Sequence, residues 1–295
     1  MKKLVFLLSM TLVTLTSCNI WNEPENADPA EPKYVSKITH TNGSVISIEY
    51  DSDMRVKGIS YVDAEDAAKS CDYEVKYNLN MTNNNVTFDI ITADGKYVMK
   101  FNEYGALSEY VQNNASQKVL STFEYDSYSS IGAFHLELDK VVDKVNGGEV
   151  KRIDWSYGAP IYQINQVVKR IEGTDYTYST TVNYDFERYY SNVMANVNLF
   201  TLLTPEFLEY SNIPNELAVV VSVFGTRSSY LPTDVTVTKG RSMAGENYVE
   251  LSKDERKYIY EYEEDNSGCI SKIYTGTSDK DKKILYTITY VGEEK

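Results

Sequence analysis

Apolar and polar residues alternate at period two through most of the chain. Ile46, Ile48 and Tyr50 would share one face of a strand, and the same spacing recurs in residues 258–262 and 284–290. This alternation is typical of β-strands that are buried on one face only. The sequence therefore predicts an all-β protein with a minor helical part.

Dipeptides that favour tight turns lie between these segments. Asn42-Gly43 and Asp94-Gly95 are each flanked by two strand-like stretches. Both supply the positive φ angles of a type I′ turn, which is the strongest short-range signal of a hairpin. Consecutive hairpins place neighbouring strands antiparallel. We therefore predict a single β-rich domain over residues 34–292, an antiparallel meander that forms a barrel-like or strongly curved sheet.

A short motif recurs along the chain: an aromatic residue, then an acid or amide, then a turn. It is present at Tyr50-Asp51, Phe101-Asn102, Tyr125-Asp126 and Tyr262-Glu263. In each copy the aromatic residue would end a strand, and the side-chain oxygen that follows would close the turn. Because the spacing between copies drifts, the repeat indicates an architecture and carries no chemistry of its own.

One stretch, near residues 189–211, lacks the alternation and predicts a short helical insertion. Thr204 is a suitable N-cap and is followed by a proline, which favours a helix over about residues 205–211. Residues 193–203 are apolar enough to be buried. Residues 63–70 form either one helical turn or a polar loop.

The first residues have the features of an export signal. Two lysines precede an apolar stretch that is too short to span a bilayer as a helix. The segment Leu15–Cys18 resembles the bacterial lipobox, in which the cysteine receives a diacylglyceryl group and becomes the first residue after cleavage. We therefore expect a lipoprotein signal peptide over residues 1–17, and lipidation of Cys18 with acyl chains such as palmitate.

Residues 18–33 are acidic and rich in proline, so they are expected to form a tether with no core of its own. An aspartate directly after the lipidated cysteine would disfavour sorting to the outer membrane. This chain has Asn19 there, which indicates sorting to the outer membrane, on either its periplasmic or its surface face. The formal charge of −14 becomes −16 without Lys2 and Lys3. An acidic chain repels the phosphate groups of nucleic acids and of anionic lipid headgroups. We therefore exclude nucleic acid as a partner and expect the membrane to be contacted through the lipid anchor alone.

The strand faces argue against a barrel that is inserted in lipid. Transmembrane barrels present an unbroken apolar band on their outer face. The predicted polar faces here carry Lys37, Glu49, Lys100, Glu124 and Lys151. We expect water on the outside of the sheet.

Tyrosine is the unusual component, with 26 copies against 9 Phe and 2 Trp. Tyrosines stabilise half-buried sheets, because the ring packs while the hydroxyl reaches a polar partner. The same rings could instead form an aromatic platform for sugars. Sheet stabilisation is the simpler interpretation of most of them.

Few residues point to catalysis or metal binding. His40 and His135 lie in strand-like segments without a second histidine nearby, and no nucleophile or phosphate-binding motif is present. The oxygen-rich segments 51–53 and 263–266 lack the spacing of a Ca²⁺ loop and are interpreted as solvated turns. We predict no catalytic residue, no metal site and no cofactor.

Cys71 and Cys269 leave two alternatives open. Export permits a disulfide, and this pair would join the early and late parts of the domain. Two isolated thiols with no CxxC motif or histidine nearby are more often simply buried.

Two central segments carry a resemblance to a known family. They read Asn196-Val-Asn-Leu-Phe-Thr-Leu-Leu203 and Phe224-Gly-Thr-Arg-Ser-Ser-Tyr-Leu-Pro-Thr-Asp-Val-Thr236. With the lipobox and the aromatic–acid repeat, they resemble a Bacteroidetes family of lipoproteins of unknown function, over most of residues 34–292. The resemblance implies a porin-like fold, an antiparallel barrel that stands outside the membrane. It implies no functional residues, because none are established for the family.

These observations favour a non-catalytic envelope lipoprotein whose β domain binds a glycan or a protein in a cleft lined by tyrosines. One alternative is a hydrolase of glycans that uses two carboxylates facing each other across a cleft. Another is a carrier that holds a small apolar ligand inside the barrel, as lipocalins do.

Overall fold

The computed structural model describes residues 33–82, 85–102, 107–113, 118–130, 133–145, 148–158, 163–171, 176–189, 197, 199–203, 213–220, 230–242, 250–278 and 280–293. Sixteen strands make up nearly all of this part of the chain. They are β1 Val35–His40, β2 Val45–Tyr50, β3 Val56–Val62, β4 Cys71–Thr82, β5 Asn85–Thr92, β6 Tyr97–Phe101, β7 Leu107–Asn113, β8 Lys118–Ser130, β9 Ala133–Val145, β10 Gly148–Gly158, β11 Gln163–Ile171, β12 Tyr176–Tyr189, β13 Tyr230–Ser242, β14 Glu250–Glu264, β15 Ile270–Gly276 and β16 Lys283–Tyr290.

Each strand pairs antiparallel with the strand that follows it, as the hairpin signals predicted. The last strand also pairs with the first, from Val35 opposite Tyr290 to His40 opposite Tyr286. The sheet therefore returns to its first strand and closes into a barrel. This confirms the predicted all-β meander. Of the two forms predicted for it, barrel-like or strongly curved, the sheet adopts the closed barrel.

The inner face of the ring is apolar and the outer face is polar. Lys37, Glu49, Lys100 and Glu124 point outward and are exposed, as the alternation predicted. A transmembrane barrel has the opposite arrangement, with a polar lumen and an apolar exterior. The core is inside the ring, and fourteen strands contribute buried side chains to it, among them Ile38, Ile48, Ile59, Val75, Ile90, Met99, Tyr110, Phe123, Val141, Val182, Val235, Tyr260, Ile273 and Ile288.

Two helices lie inside the barrel among the described residues. Helix α1 spans Leu199–Leu203 and helix α2 spans Asn215–Val220. The hydroxyls of Tyr260 and Tyr286, on the inner faces of β14 and β16, donate to the carbonyls of Leu203 and Leu202 at 2.9 and 3.3 Å. These contacts hold α1 against the barrel wall.

The helical insertion extends further along the chain than the predicted residues 189–211, because α2 lies beyond them. The reason is that residues 217–220 are apolar on every side, and a helix of that kind is stable only where it is fully buried. The predicted helix over residues 205–211 lies outside the described residues. Residues 63–70 contain a 3₁₀ turn, Ala67–Lys69, capped by the side chain of Asp66.

The hairpin positions are confirmed, but the predicted type I′ turns are wrong. Gly43 and Gly95 have φ angles of 95° and 68°, whereas Asn42 and Asp94 are not in the positive-φ region. Both turns are longer than two residues. The first has three residues between His40 and Ser44, since His40 N–H donates to the Ser44 carbonyl at 2.8 Å, and the second has four residues between Thr92 and Tyr97. The first turn is stabilised by an Asx interaction, with the Asn42 Oδ1 accepting from Ser44 N–H at 2.9 Å.

Three copies of the aromatic–acid repeat share a structural role, and Tyr77 and Tyr290 share it without belonging to the repeat. The prediction that each aromatic residue ends a strand is wrong at Tyr125, because β8 continues to Ser130. A tyrosine on an even-numbered strand donates its hydroxyl to a carbonyl at the start of the preceding strand, at the same end of the barrel each time. We call this end the tyrosine end, and the opposite one the pocket end. The hydrogen bonds are Tyr50 to Val35 at 2.6 Å, Tyr77 to Val56 at 2.9 Å, Tyr125 to Leu107 at 2.7 Å, Tyr262 to Pro232 at 2.7 Å and Tyr290 to Ile270 at 2.9 Å.

The sheet changes register where the repeat lies. Bulges fall between Glu49 and Tyr50, between Lys100 and Phe101 and between Glu124 and Tyr125. A bulge interrupts the regular ladder and increases the local twist. The tyrosine hydroxyls therefore supply hydrogen bonds to the backbone at the end of the barrel where the ladder becomes irregular.

Loss of one of these hydroxyls is expected to destabilise the barrel. Tyr290→Phe removes a buried hydrogen bond and leaves a buried carbonyl short of a donor, so the free energy of unfolding should fall by about 1–2 kcal/mol. Chemical denaturation of the two proteins measures the difference.

Tyr34→Phe is the matched control. Its ring packs edge-on against Tyr50, with centroids 5.6 Å apart, and its hydroxyl makes no hydrogen bond within the described residues. This substitution should leave the free energy of unfolding unchanged. An equal loss of stability in both variants would show that the hydroxyl–carbonyl bonds do not stabilise the tyrosine end.

Candidate functional site

The pocket end of the barrel contains a cavity of about 780 Å³. Its side wall is formed by residues of β1–β4, β6, β7 and β16, and α2 forms its floor together with Leu202 of α1. A volume in the hundreds of Å³ is typical of sites for small molecules. Five rings line the wall, those of His40, Tyr61, Tyr73, Tyr97 and Tyr286.

Strand alternation brings these rings together. His40 ends β1 opposite Tyr286 of β16, and Tyr61 lies near the end of β3, opposite Cys71. Since paired residues in antiparallel strands point to the same face, these rings project inward, at successive levels near the pocket end of the barrel. The rings of His40 and Tyr286 meet edge-to-face, with centroids 5.1 Å apart.

Glu216 of α2 is the polar centre of the floor. Its side chain is almost completely buried, with 9% exposure for the residue. The Tyr73 hydroxyl donates to its Oε1 at 2.6 Å, and the Cys71 Sγ lies 3.3 Å from the same oxygen. These contacts join α2 to the start of β4. The other oxygen, Oε2, accepts no hydrogen bond from the described residues, and Glu216 lines the cavity.

The thiol and the phenol beside Glu216 are held in their neutral forms. Burial raises the pKa of Cys71 to about 11, and the neighbouring Glu216 carboxylate contributes to this increase. Burial also raises the pKa of Tyr73 far above its ordinary value. A nucleophilic cysteine requires the opposite shift. Cys71 is therefore a hydrogen-bonding group of the floor and not a nucleophile.

A second carboxylate, that of Asp63, lies at the rim and has its oxygens occupied. Its Oδ1 accepts from Glu65 N–H at 2.9 Å and Asp66 N–H at 2.8 Å, and its Oδ2 accepts from the Tyr61 hydroxyl at 3.0 Å. The backbone donors lower the pKa of Asp63. This carboxylate fixes the shape of the β3–β4 loop.

Two lysines complete the rim, and both are exposed. The Lys69 ammonium lies 3.8 Å from Asp66, and the Lys96 ammonium lies 5.0 Å from the centre of the Tyr97 ring. The positive charges are therefore at the solvent side of the cavity, and the buried negative charge is at its floor.

The structure separates the predicted candidates. His40 lines the cavity and accepts from Asn42 N–H through Nδ1 at 3.1 Å, whereas His135 lies on β9 opposite Tyr128. Residues 51–53 form the solvated turn that the sequence indicated, with Asp51 paired to Arg55 at 2.7 Å. Of residues 263–266, the first two end β14 and the last two begin a turn, in which Asp265 Oδ1 accepts from Ser267 N–H at 2.8 Å. The lipidation residue, Cys18, lies outside the described residues.

Cys71 and Cys269 do not form the disulfide that the sequence left open. Both are free thiols. Cys71 begins β4 at the pocket end, and Cys269 precedes β15 at the tyrosine end, so the height of the barrel separates them.

Sequence reasoning missed Glu216, although a signal was present. It is the single charged residue between Ile213 and Phe224, and an acid in such an apolar segment is buried with a specific partner. Its partners are 143 and 145 residues away, so the sequence could not name them.

Two further features of the described residues bear on chemistry and location. They contain no group of three or more His, Cys, Asp or Glu side chains placed to hold a metal ion. None of the helices in this part of the chain is long and apolar enough to cross a membrane.

Comparison with known proteins identifies a fold class. A porin-like protein from Bacteroides uniformis has a crystal structure that matches with a TM-score of 0.53 and 15% identity, covering 88% of this chain and 99% of that one. A porin-like protein from Bacteroides vulgatus matches with a TM-score of 0.54 and 14% identity over the same shares. The chain thus has the porin-like fold of these Bacteroides proteins. No family model and no curated protein matches the sequence.

The chemistry of Cys71 can be tested directly. With a pKa of about 11 in place of 9.0, its thiolate fraction near neutral pH should be about 100-fold below that of an ordinary thiol. The rate at which iodoacetamide alkylates Cys71, measured residue by residue with mass spectrometry, should therefore keep rising up to pH values above 10. The urea-unfolded protein is the control, and the plot of its Cys71 alkylation rate against pH should have an inflection near pH 9. Equal rates in the two states would contradict the assigned environment.

Proposed function

We propose that this chain is a lipid-anchored envelope protein whose barrel binds a small polar ligand in the end-on cavity. The observation that carries the proposal is the cavity itself, which combines a wall of aromatic rings with a buried carboxylate at the floor. Ring faces pack against the flat apolar surfaces of a ligand, and a few polar groups fix its orientation. A saccharide, with apolar ring faces and many hydroxyls, has the matching chemistry.

The filled interior disfavours an apolar carrier. Lipocalin-like carriers need an empty apolar lumen, whereas here α1 and α2 occupy the barrel and contact its wall. The cavity at the pocket end is lined by charged and hydroxyl groups such as Glu216 and Tyr61 as well as by apolar side chains such as Ile46.

The two carboxylates of the cavity support binding in preference to hydrolysis. A glycosidase needs one carboxyl group as acid and a second as base or nucleophile, both facing the scissile bond. Both oxygens of Asp63 are already occupied by Tyr61 and the β3–β4 loop. Of the two carboxylates that line the cavity in the described part of the chain, only Glu216 keeps an oxygen available.

Attachment through Cys18 is supported by the lipobox, and the porin-like neighbours suggest an envelope-associated protein. We expect Cys18→Ser to move the protein from the membrane fraction to the periplasmic one and to abolish incorporation of labelled palmitate. Cys269→Ser, which alters a buried cysteine elsewhere in the chain, should leave both unchanged. Membrane association that persists in Cys18→Ser would refute the anchor.

The cavity can be tested as the binding site by blocking it. Ala68 lines the cavity, whereas its neighbour Ala67 does not, although both are exposed on the same 3₁₀ turn. We expect Ala68→Trp to weaken ligand binding by at least about tenfold, which is 1.4 kcal/mol. Ala67→Trp should bind as the unchanged chain does.

Ligands for this comparison come from a glycan array and a small-molecule screen by saturation-transfer NMR, both with the mature chain in detergent. Titration calorimetry then compares the two tryptophan variants with the unchanged protein. Ligands that bind both variants equally would place the site elsewhere. An empty screen would count against a binding function.

A further inference from the structure

We propose that the ligand carries a protonated amine, which the cavity binds through Oε2 of Glu216. This inference rests on the proposed binding function and specifies its chemical class. It selects amino sugars and other small ammonium compounds over neutral and anionic molecules of the same shape.

The first reason is that the Glu216 carboxylate has no positive partner in the part of the chain that the structure describes. A buried carboxylate is costly unless charges or hydrogen bonds compensate it. Within the described residues, Oε1 accepts from Tyr73, and no lysine or arginine lies within ion-pair distance of either oxygen. A ligand ammonium would supply both the donor and the charge that the protein does not.

The second reason is the position of the lysines of the cavity. Lys69 is next to Asp66, and Lys96 lies over the Tyr97 ring. Both are exposed at the rim, whereas Glu216 is on the floor. These two lysines therefore do not neutralise the carboxylate at the floor.

The third reason is the state of the tyrosine hydroxyls. Those of Tyr61, Tyr73 and Tyr286 donate to Asp63, Glu216 and the Leu202 carbonyl. Hydroxyls that donate inside the protein offer a ligand only lone pairs and ring faces. Ring faces and oxygen lone pairs attract cations and repel anions. The wall and the floor of the cavity therefore both favour a positively charged ligand.

The experiment uses ligand sets that differ in charge and little else. Glucosamine, N-acetylglucosamine and glucose form one set, and short-chain amines with their N-acetyl and hydroxyl analogues extend it. Binding of each probe to the full mature chain is measured by saturation-transfer NMR and titration calorimetry. We expect the amines to bind at least about tenfold more tightly than their neutral partners, as a charge-assisted hydrogen bond predicts.

Glu216→Gln should remove this preference. The amide can still accept from Tyr73, so the floor keeps its shape while it loses its charge. Glu65→Gln is the matched control, since it removes one negative charge from the nearby β3–β4 loop at an exposed position that does not line the cavity. Thermal unfolding of both variants checks that each is folded.

The outcomes separate this inference from the proposed function. Preference for amines that is lost in Glu216→Gln and kept in Glu65→Gln supports it. Neutral probes that bind as tightly as amines and are blocked by Ala68→Trp would overturn it while leaving the cavity as a binding site. Amine binding that survives Glu216→Gln would overturn it too. No binding by any probe, charged or neutral, would count against both proposals.

Discussion

Closure of the sheet, through the hydrogen bonds between β1 and β16, is the constraint on which the rest of the structure depends. A closed ring gives every strand an inside and an outside, so the alternation of apolar and polar residues separates core from surface throughout. A ring of sixteen strands is too wide for its own side chains to fill, and barrels of this size usually enclose a water channel. An apolar lumen of that width requires additional chain, and α1 and α2 supply it.

The helical filling also creates the cavity. Helix α2 fixes the depth of the floor, because Glu216 is bound to Tyr73 and lies against Cys71 at the start of β4. Above this level, among the described residues, the inner faces of the strands carry the rings that line the cavity. The carboxylate therefore joins the filling to the wall, and its second oxygen remains available above the floor.

Local sequence patterns predicted the strands, the antiparallel order and the buried helical insertion, because alternation, turn residues and apolar runs act over a few residues. They gave the wrong type for the turn at Asn42, where a side-chain hydrogen bond to Ser44 favours a longer loop. The site was beyond their range. Glu216 and Tyr73 meet only because the ring closes around the helices, and such a contact leaves no periodic signal. The aromatic–acid repeat was visible as a pattern, but its cause required the pairing of adjacent strands.

An even number of strands has a consequence for how the barrel is presented. The first strand starts, and the last one finishes, at the tyrosine end, where Val35 and Tyr290 pair. The cavity opens at the other end. In a chain held by Cys18, the attachment and the mouth of the cavity are therefore on opposite poles of the barrel. The lipid would hold the protein at the tyrosine end, and the ligand would approach from the aqueous side.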